Sequence, residues 1–315
     1  MEKKCIIVVG SSNTDMIIKL KRFPQAGETL LGGTFITAAG GKGANQAVGA
    51  AKAGGNVRLI ARVGRDMFGN NARADFIRQG IHTQHVFTDR ESPSGVALIL
   101  VAANGENSIA VAPGANAGLS PSDVHKARRV FAGAGALVIQ LEIPLDTVIA
   151  AADLAVQAGV PVILNPAPAR SLPRRLLKAL TIITPNEIEA ERLTDVKVDS
   201  DRAAAKAGDR LLANGVRAVV ITLGARGAFV ATDGLRKRVP GFKAKAVDTT
   251  AAGDIFNGAL AVALVEGKGL EPAVEFANAA AAISVTRMGA QTSAPTRREI
   301  DRFLAAHRVK MAGAA

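Results

Sequence analysis

Asp254 is the residue around which a chemistry can be built. It follows directly on Ala251, Ala252 and Gly253 and opens an apolar, Ala-rich helical pattern over 255–265. A helix starting near Ala252 leaves its first backbone N–H groups without intrahelical partners. Those bare amides, with the positive end of the helix dipole, attract an anion. A carboxylate in the same first turn then stands beside any phosphate bound there. That pairing suits phosphoryl transfer to a hydroxyl, in which positioning and charge stabilisation carry most of the catalysis. An ordinary helix start with acidic N-terminal residues is the competing reading of the same stretch.

Other chemistry-bearing groups recur after apolar runs. Residues 40–45 read Gly-Gly-Lys-Gly-Ala-Asn and lead into a helical pattern. Glycines there let backbone approach a ligand closely, and Asn45 falls in the first helical turn. The spacing is not that of a P-loop, and no Ser or Thr follows Lys42. Asn13 and Asp15 bracket Thr14 after the first apolar run. Residues two apart in extended chain share a face, and a paired amide and carboxylate offer donors and acceptors to vicinal hydroxyls. An Asx turn is the plain alternative. Glu142 follows the run 136–141. Asn186 and Glu189 have capping-box spacing, and residues 223–227, Leu-Gly-Ala-Arg-Gly, form either a phosphate-wrapping loop or a tight hairpin.

Elements must hold these groups together. Strands are predicted over 6–9, 57–61, 136–141, 160–164, 182–184, 218–222 and 227–231. Helices are predicted over 43–53, 69–79, 121–131, 145–157 and 201–213, with Gly54, Gly80, Gly159 and Gly215 at the stops. This alternation predicts an α/β fold with a mostly parallel sheet and helices on both faces. Ligands in such sheets bind at the carboxyl ends of strands, where the groups above fall. Two segments, 14–37 and 94–112, carry short alternating runs with polar and Gly punctuation. They predict antiparallel strands outside the main sheet, a small flap that excludes water during transfer chemistry. The organisation expected is a single domain over 1–309 with these two lid segments and a frayed tail over 310–315.

Composition narrows the class. Hydrophobic residues make up 48%, enough for a sizeable core, and the formal net charge is +12. With no Trp or Tyr and only 11 Phe, aromatic platforms for nucleic-acid bases are missing. The scattered basic residues read as a solvated surface that attracts anionic nucleotides. Cys5 is the only cysteine, so no intrachain disulfide forms. No run reaches the roughly 20 apolar residues of a membrane span, and the apolar run over 5–9 is too short for a signal-peptide core. A cytoplasmic protein without membrane or nucleic-acid partners is expected. His82, His85, His125 and His307 have no ligand spacing for structural zinc.

With these residues assembled, the chain resembles the ribokinases of the phosphofructokinase-B-type sugar kinase family over about residues 6–304. Residues 40–45 resemble the first family signature, and 248–258 the second, which is highly specific. Residues 10–15, 164–169, 184–189 and 285–291 add ribokinase-like detail. The resemblance implies a homodimeric ATP-dependent kinase that converts D-ribose to ribose 5-phosphate with Mg2+ and activation by K+. It implies Asp254 as base and Ala251, Ala252 and Gly253 as anion hole. Asn13, Thr14, Asp15, Gly41, Lys42, Gly43, Ala44, Asn45 and Glu142 would hold the sugar, with Asp254 beside it. Asn186 and Glu189 would organise magnesium and phosphate through water. Thr222, Leu223, Gly224, Ala225, Arg226, Gly227 and Asn278 would line the nucleotide site, the adenine resting on aliphatic side chains and glycine backbone. Asp248, Thr250, Ser284, Arg287, Gly289 and Ser293 would surround potassium, largely through backbone carbonyls. A 2-deoxyribose kinase on the same scaffold is the alternative, a fructose or nucleoside kinase a more distant one. A sugar-binding relative without catalysis is a further alternative, against which the retained Asp254 argues.

Overall fold

The computed structural model describes residues 4–312. Thirteen strands are described: β1 Cys5–Val9, β2 Asn13–Leu20, β3 Thr34–Gly40, β4 Asn56–Gly64, β5 His82–Asp89, β6 Gly95–Ala102, β7 Asn107–Ala112, β8 Ala136–Ile139, β9 Val162–Leu164, β10 Ile182–Ile183, β11 Ala218–Thr222, β12 Gly227–Thr232 and β13 Leu235–Pro240. The helices are α1 Lys42–Lys52, α2 Met67–Arg78, α3 Pro121–Lys126, α4 Leu145–Gln157, α5 Arg174–Ala179, α6 Glu187–Thr194, α7 Asp201–Ala213, α8 Ala252–Val265, α9 Leu270–Ser284 and α10 Arg297–Ala312.

Nine strands form one sheet in the order β13-β12-β11-β10-β9-β8-β1-β4-β5. It is parallel from β11 to β5 and antiparallel only at β11-β12-β13. Strand alternation divides the core. Ile6 and Val8 of β1 pack with α1, α8 and α9, whereas Ile7 and Val9 face α4 and α7. Covering both faces explains why such strands are continuous apolar runs. All four glycines at the predicted helix stops adopt positive φ: 95° at Gly54, 74° at Gly80, 68° at Gly159 and 103° at Gly215.

Several expectations need correction. β5 and β13 were not among the predicted strands. Both are edge strands, and their sequences His-Thr-Gln-His-Val-Phe-Thr-Asp and Leu-Arg-Lys-Arg-Val-Pro lack an apolar run because one side faces water. The segment 121–131 is not one helix: α3 stops at Lys126 and a separate 3-10 turn spans Arg128–Phe131. The lid is a four-stranded sheet, β3-β2-β6-β7, but β2 and β6 pair in parallel, because β6 returns to the base of the lid after crossing through the main sheet. Helix α10 runs to Ala312, so 310–312 are helical; the rest of the expected tail, 313–315, lies outside the described residues.

One contact positions the site. Helices α1 and α8 cross with no side chain between them at Gly258. A Cβ there would lie 2.6 Å from both Ala50 N and the Gln46 carbonyl oxygen. Gly43, at the start of α1, is equally close to Gly10, where a Cβ would meet backbone at 2.5 Å. An exposed helical Gly→Ala exchange stabilises by up to about 1 kcal/mol. Here the clash is with backbone, and overpacking of this kind costs about 1–3 kcal/mol. Gly258→Ala is expected to lower the urea midpoint, and a raised midpoint would show that the two helices are not in van der Waals contact.

Candidate active site

Every functional group proposed from the sequence on the parallel strands falls at a carboxyl end. Asn13 and Asp15 follow β1, Glu142 follows β8, Asn186 follows β10, and Thr222 ends β11. An isolated bridge between Asn186 and Thr222 draws the last two together. Asp254, 5% exposed, sits in the first turn of α8 above this edge.

Its carboxylate is held on both oxygens. Asn45 donates to Oδ2 at 3.0 Å and Gln46 to Oδ1 at 2.9 Å. Burial pushes the Asp254 carboxyl up, against the pull of Lys42 and the two amides, while Glu142 adds to the rise. For Lys42, burial opposes the charge, but Asp254, Glu142 and Glu189 outweigh it and raise the ammonium. One cation is thus shared among three carboxylates. Helix α8 carries no side-chain cap, and its N-cap residue, Ala251, is left-handed with φ 58°. The Ala252 amide donates to the Thr249 carbonyl at 3.2 Å. The open turn therefore offers the amides of Gly253 and Asp254 foremost, and a Cβ on Gly253 would meet nothing within 4 Å.

Two cavities adjoin this turn. A polar one of about 180 Å³ is lined by Lys42, Asn165, Asn186, Glu189, Gly253 and Asp254. An apolar one of about 430 Å³ continues from it, sharing Asn186, Thr222, Thr249, Ala252 and Gly253. Its volume suits a small-molecule ligand. Gly224, Ala225, Gly227 and Asn278 line it as expected, and so do Phe242 and Phe256, so its wall is not purely aliphatic. Asn278 donates to the carbonyls of Val239 and Pro240, at 3.3 and 3.1 Å. Leu223 does not face this cavity; its side chain is buried in the core beside α7. The Arg226 guanidinium turns to Glu187 at 2.8 Å. Asn186 and Glu189 form the capping box that starts α6 and line the polar cavity as well.

On the sugar side, Asn13 and Asp15 share one face of β2. Thr14 is on the other face, and both Asn13 and Thr14 border a separate cavity of about 290 Å³ against α2. A Cβ on Gly40 would lie 2.3 Å from the Asp15 carboxylate, so that glycine makes room for it. Glu142 Oε2 accepts from the Lys42 amide at 2.9 Å and from Ser11 Oγ at 2.5 Å. The amides of Gly43 and Ala44 are bonded to Ser11. Gly43 and Ala44 therefore build the helix start and do not present free donors. Gly41, with φ 86°, makes the turn into α1.

The segment expected to surround a cation is tied together by Asp248. Asp248 accepts from the amides of Thr250 and Gly289, at 2.9 and 2.8 Å, and its own amide bonds the Val285 carbonyl. Ser284 and Ser293 hydroxyls bond carbonyls within their own turns, and Arg287 pairs with Glu299. Of these residues backbone oxygens and the Asp248 carboxylate remain for a cation, a donor set of hard oxygens.

Gln46 and Gln140 were not singled out from the sequence, nor was a role read for Asn165 and Asn257. Gln46 follows Asn45 in a helix otherwise made of small and apolar residues. A Gln in such a run is the sequence signal that could have found it, and the structure buries it fully.

Asp15 provides a pH test. Burial first, then the Glu142 and Asp254 charges, raise its carboxyl from 3.8 to about 6. A raised carboxyl means the folded state holds the proton more tightly than the unfolded chain. Stability is therefore full below pH 3.8 and is lost as pH rises through about 6. Asp15→Asn is expected to be more stable than the parent at pH 7, by at most about 3 kcal/mol. The difference should vanish at pH 4, and denaturant midpoints at the two pH values check it.

The geometry is matched by known proteins. The profile of the pfkB family carbohydrate kinases covers residues 3–297. A ribokinase of Haemophilus influenzae is 46% identical over 302 residues, 96% of this chain and 99% of that protein. A deoxyribokinase of Salmonella typhi is 38% identical over 300 residues, 95% of this chain and 98% of its own length. The structure of Arabidopsis thaliana ribokinase complexed with ribose and ATP superposes with a TM-score of 0.89 at 35% identity, covering 96% of this chain and 98% of that one. With a buried carboxylate at an uncapped helix start and these likenesses over nearly its whole length, the chain belongs to the pfkB family of carbohydrate kinases.

Proposed function

We propose that the protein transfers the terminal phosphoryl group of ATP to the primary hydroxyl of D-ribose, giving D-ribose 5-phosphate and ADP. The observation that carries this reading is the place of Asp254. It lies at the open start of α8, on the polar cavity that leads into the apolar one. The apolar cavity takes the adenine, and the polar one the phosphates. Asn13, Asp15, Lys42 and Glu142 ring the sugar side, with Asn45 reaching Asp254 itself.

A primary hydroxyl is a weak acid, so Asp254 need not ionise it in advance. Its proton passes to the Asp254 carboxylate as the hydroxyl oxygen bonds to the terminal phosphorus, and the bond from that phosphorus to the ADP oxygen breaks. The amides of Gly253 and Asp254, Lys42 and the α8 dipole stabilise charge on the equatorial oxygens. Magnesium, held near Asn186 and Glu189 through water, would neutralise phosphate charge when bound. The hard-oxygen set around Asp248 suits potassium, which would order the loop that precedes Ala251.

Ribose is favoured over 2-deoxyribose because Asn13 and Asp15 together match a vicinal diol. A buried pair left without its hydroxyl partner is penalised. The lid exposes Phe35, Leu98, Ile109 and Val111, each more than half accessible. An apolar surface of this kind supports pairing of lids in a homodimer, which sedimentation velocity reads directly. Among the described residues no helix is long and apolar enough to cross a membrane, in keeping with a cytoplasmic enzyme.

ADP release with ATP, magnesium and potassium tests the reading. D-ribose should be strongly preferred to 2-deoxy-D-ribose, and equal or reversed preference would move the assignment to the deoxy sugar. Asp254→Asn should lower kcat by at least about a hundredfold while sugar binding survives, and near-normal turnover would remove the base. Replacing potassium by a large organic cation should lower the rate; equal rates would sink the cation loop.

A further inference from the structure

We propose that Gln46 is the positioning residue that holds Asp254 ready as a base, and that its amide is oriented by a one-way chain of hydrogen bonds beginning at the Thr184 carbonyl. The proposal rests on Asp254 being the base of the reaction above. Gln46 lines neither of the two cavities at α8, so it acts through Asp254 and not on a substrate.

The direction of the chain follows from donor and acceptor counts. A backbone carbonyl only accepts, so Asn165 must turn its Nδ2 to Thr184 O, at 3.2 Å. That leaves Asn165 Oδ1 facing Gln46, whose Nε2 donates to it at 3.1 Å and to Asp254 Oδ1 at 2.9 Å. Gln46 Oε1 is then turned away and accepts from Gln140 Nε2 at 2.6 Å. The flipped Gln46 amide would set three acceptor oxygens against one another in a buried site. Gln46 and Gln140 are fully buried and Asn165 is 7% exposed.

A cost elsewhere supports this. Gln140 Oε1 is buried with no partner, pressed toward Gly10, where a Cβ would lie 2.0 Å from it. Leaving a buried acceptor unmatched is unfavourable. Gln140 tolerates it because its donor is committed to Gln46. With Asn45 on Oδ2, each oxygen of Asp254 has one donor and keeps lone pairs for the incoming proton.

The charges facing Asp254 are Lys42 at the start of α1, Glu142 after β8, Asp15 on β2 and Glu189 on α6. Burial and the three carboxylates favour the neutral acid, while Lys42, Asn45 and Gln46 favour the carboxylate. Losing the Gln46 donor tips that balance toward the acid.

The experiment uses the full chain and two variants, Gln46→Met and Gln140→Met. It follows the pH profile of kcat/KM for ribose-dependent ADP release and the Asp254 carboxyl resonance by 13C NMR. In Gln46→Met the acid limb and the carboxyl titration should both move up by about one pH unit, a tenfold loss of rate on that limb that recovers as pH rises. Gln140→Met should move both in the same direction by less. A merely structural role would lower the rate at every pH and leave both titrations in place, and that result in folded Gln46→Met overturns the proposal. If Gln46→Met does not fold, an unmoved titration in Gln140→Met overturns it. A carboxyl titration that moves in a protein releasing no ADP with ribose or 2-deoxyribose would sink the phosphoryl-transfer reading and leave the positioning intact.

Discussion

The site depends on two helices touching backbone to backbone. At Gly258 the peptide of Ala50 and the carbonyl of Gln46 occupy the space a side chain would take, and a Cβ on Gly49 would lie 3.1 Å from Ile255. Because α1 and α8 come this close, the second and third polar residues of α1 reach across. Asn45 and Gln46 bond the two oxygens of one carboxylate more than two hundred residues away. A methyl group at the crossing would press the two backbones apart. The glycines here cost helix propensity and return a geometry that larger residues forbid.

Around that contact the electrostatics are arranged for charge that arrives with a ligand. Four carboxylates, Asp15, Glu142, Glu189 and Asp254, share this region with one lysine, and burial raises Asp15, Asp254 and Glu189 together. Helix α8 meets this region without a capping side chain and through a left-handed Ala251, a conformation that costs on the order of 1 kcal/mol for a residue with a Cβ. Four helices are closed by a side chain, from Asp66, Ser120, Asn186 and Ser200, whereas α1, α4, α5 and α9, like α8, carry no capping side chain. What sets α8 apart among the described helices is a left-handed N-cap residue other than glycine, and that start stands beside the buried base.

Sequence reading found the groups that stand on regular elements and lost those whose role depends on a neighbour. Asn186 and Glu189 were legible because capping is local, and the structure has the box. Leu223 was read with its loop, but strand alternation carries its side chain into the core. The resemblance placed Gly43 and Ala44 at the sugar, yet their amides belong to Ser11, which no local pattern reveals. The edge strands β5 and β13 escaped because a strand with one wet side has no apolar run to betray it. The parallel pairing of β2 with β6 was equally hidden, since pairing direction follows from where the chain returns after a long excursion.

Read as a string, the chain already specified an α/β sheet covered on both faces, helix stops at glycines with positive φ, a lid made from two excursions and a carboxylate at a helix start. These follow from periodicity, from the unique freedom of glycine and from motif spacing, all of which act within a few residues of one another. Folding alone decided that Gln46 would meet Asp254, that Gln140 would orient it, that Glu142 would cap α1 instead of standing in solvent, and that Phe242 would join the nucleotide cavity. Those outcomes join residues some thirty to two hundred positions apart. Hydrogen-bond direction and burial exist only once the partners share a place, so no stretch of sequence contains them.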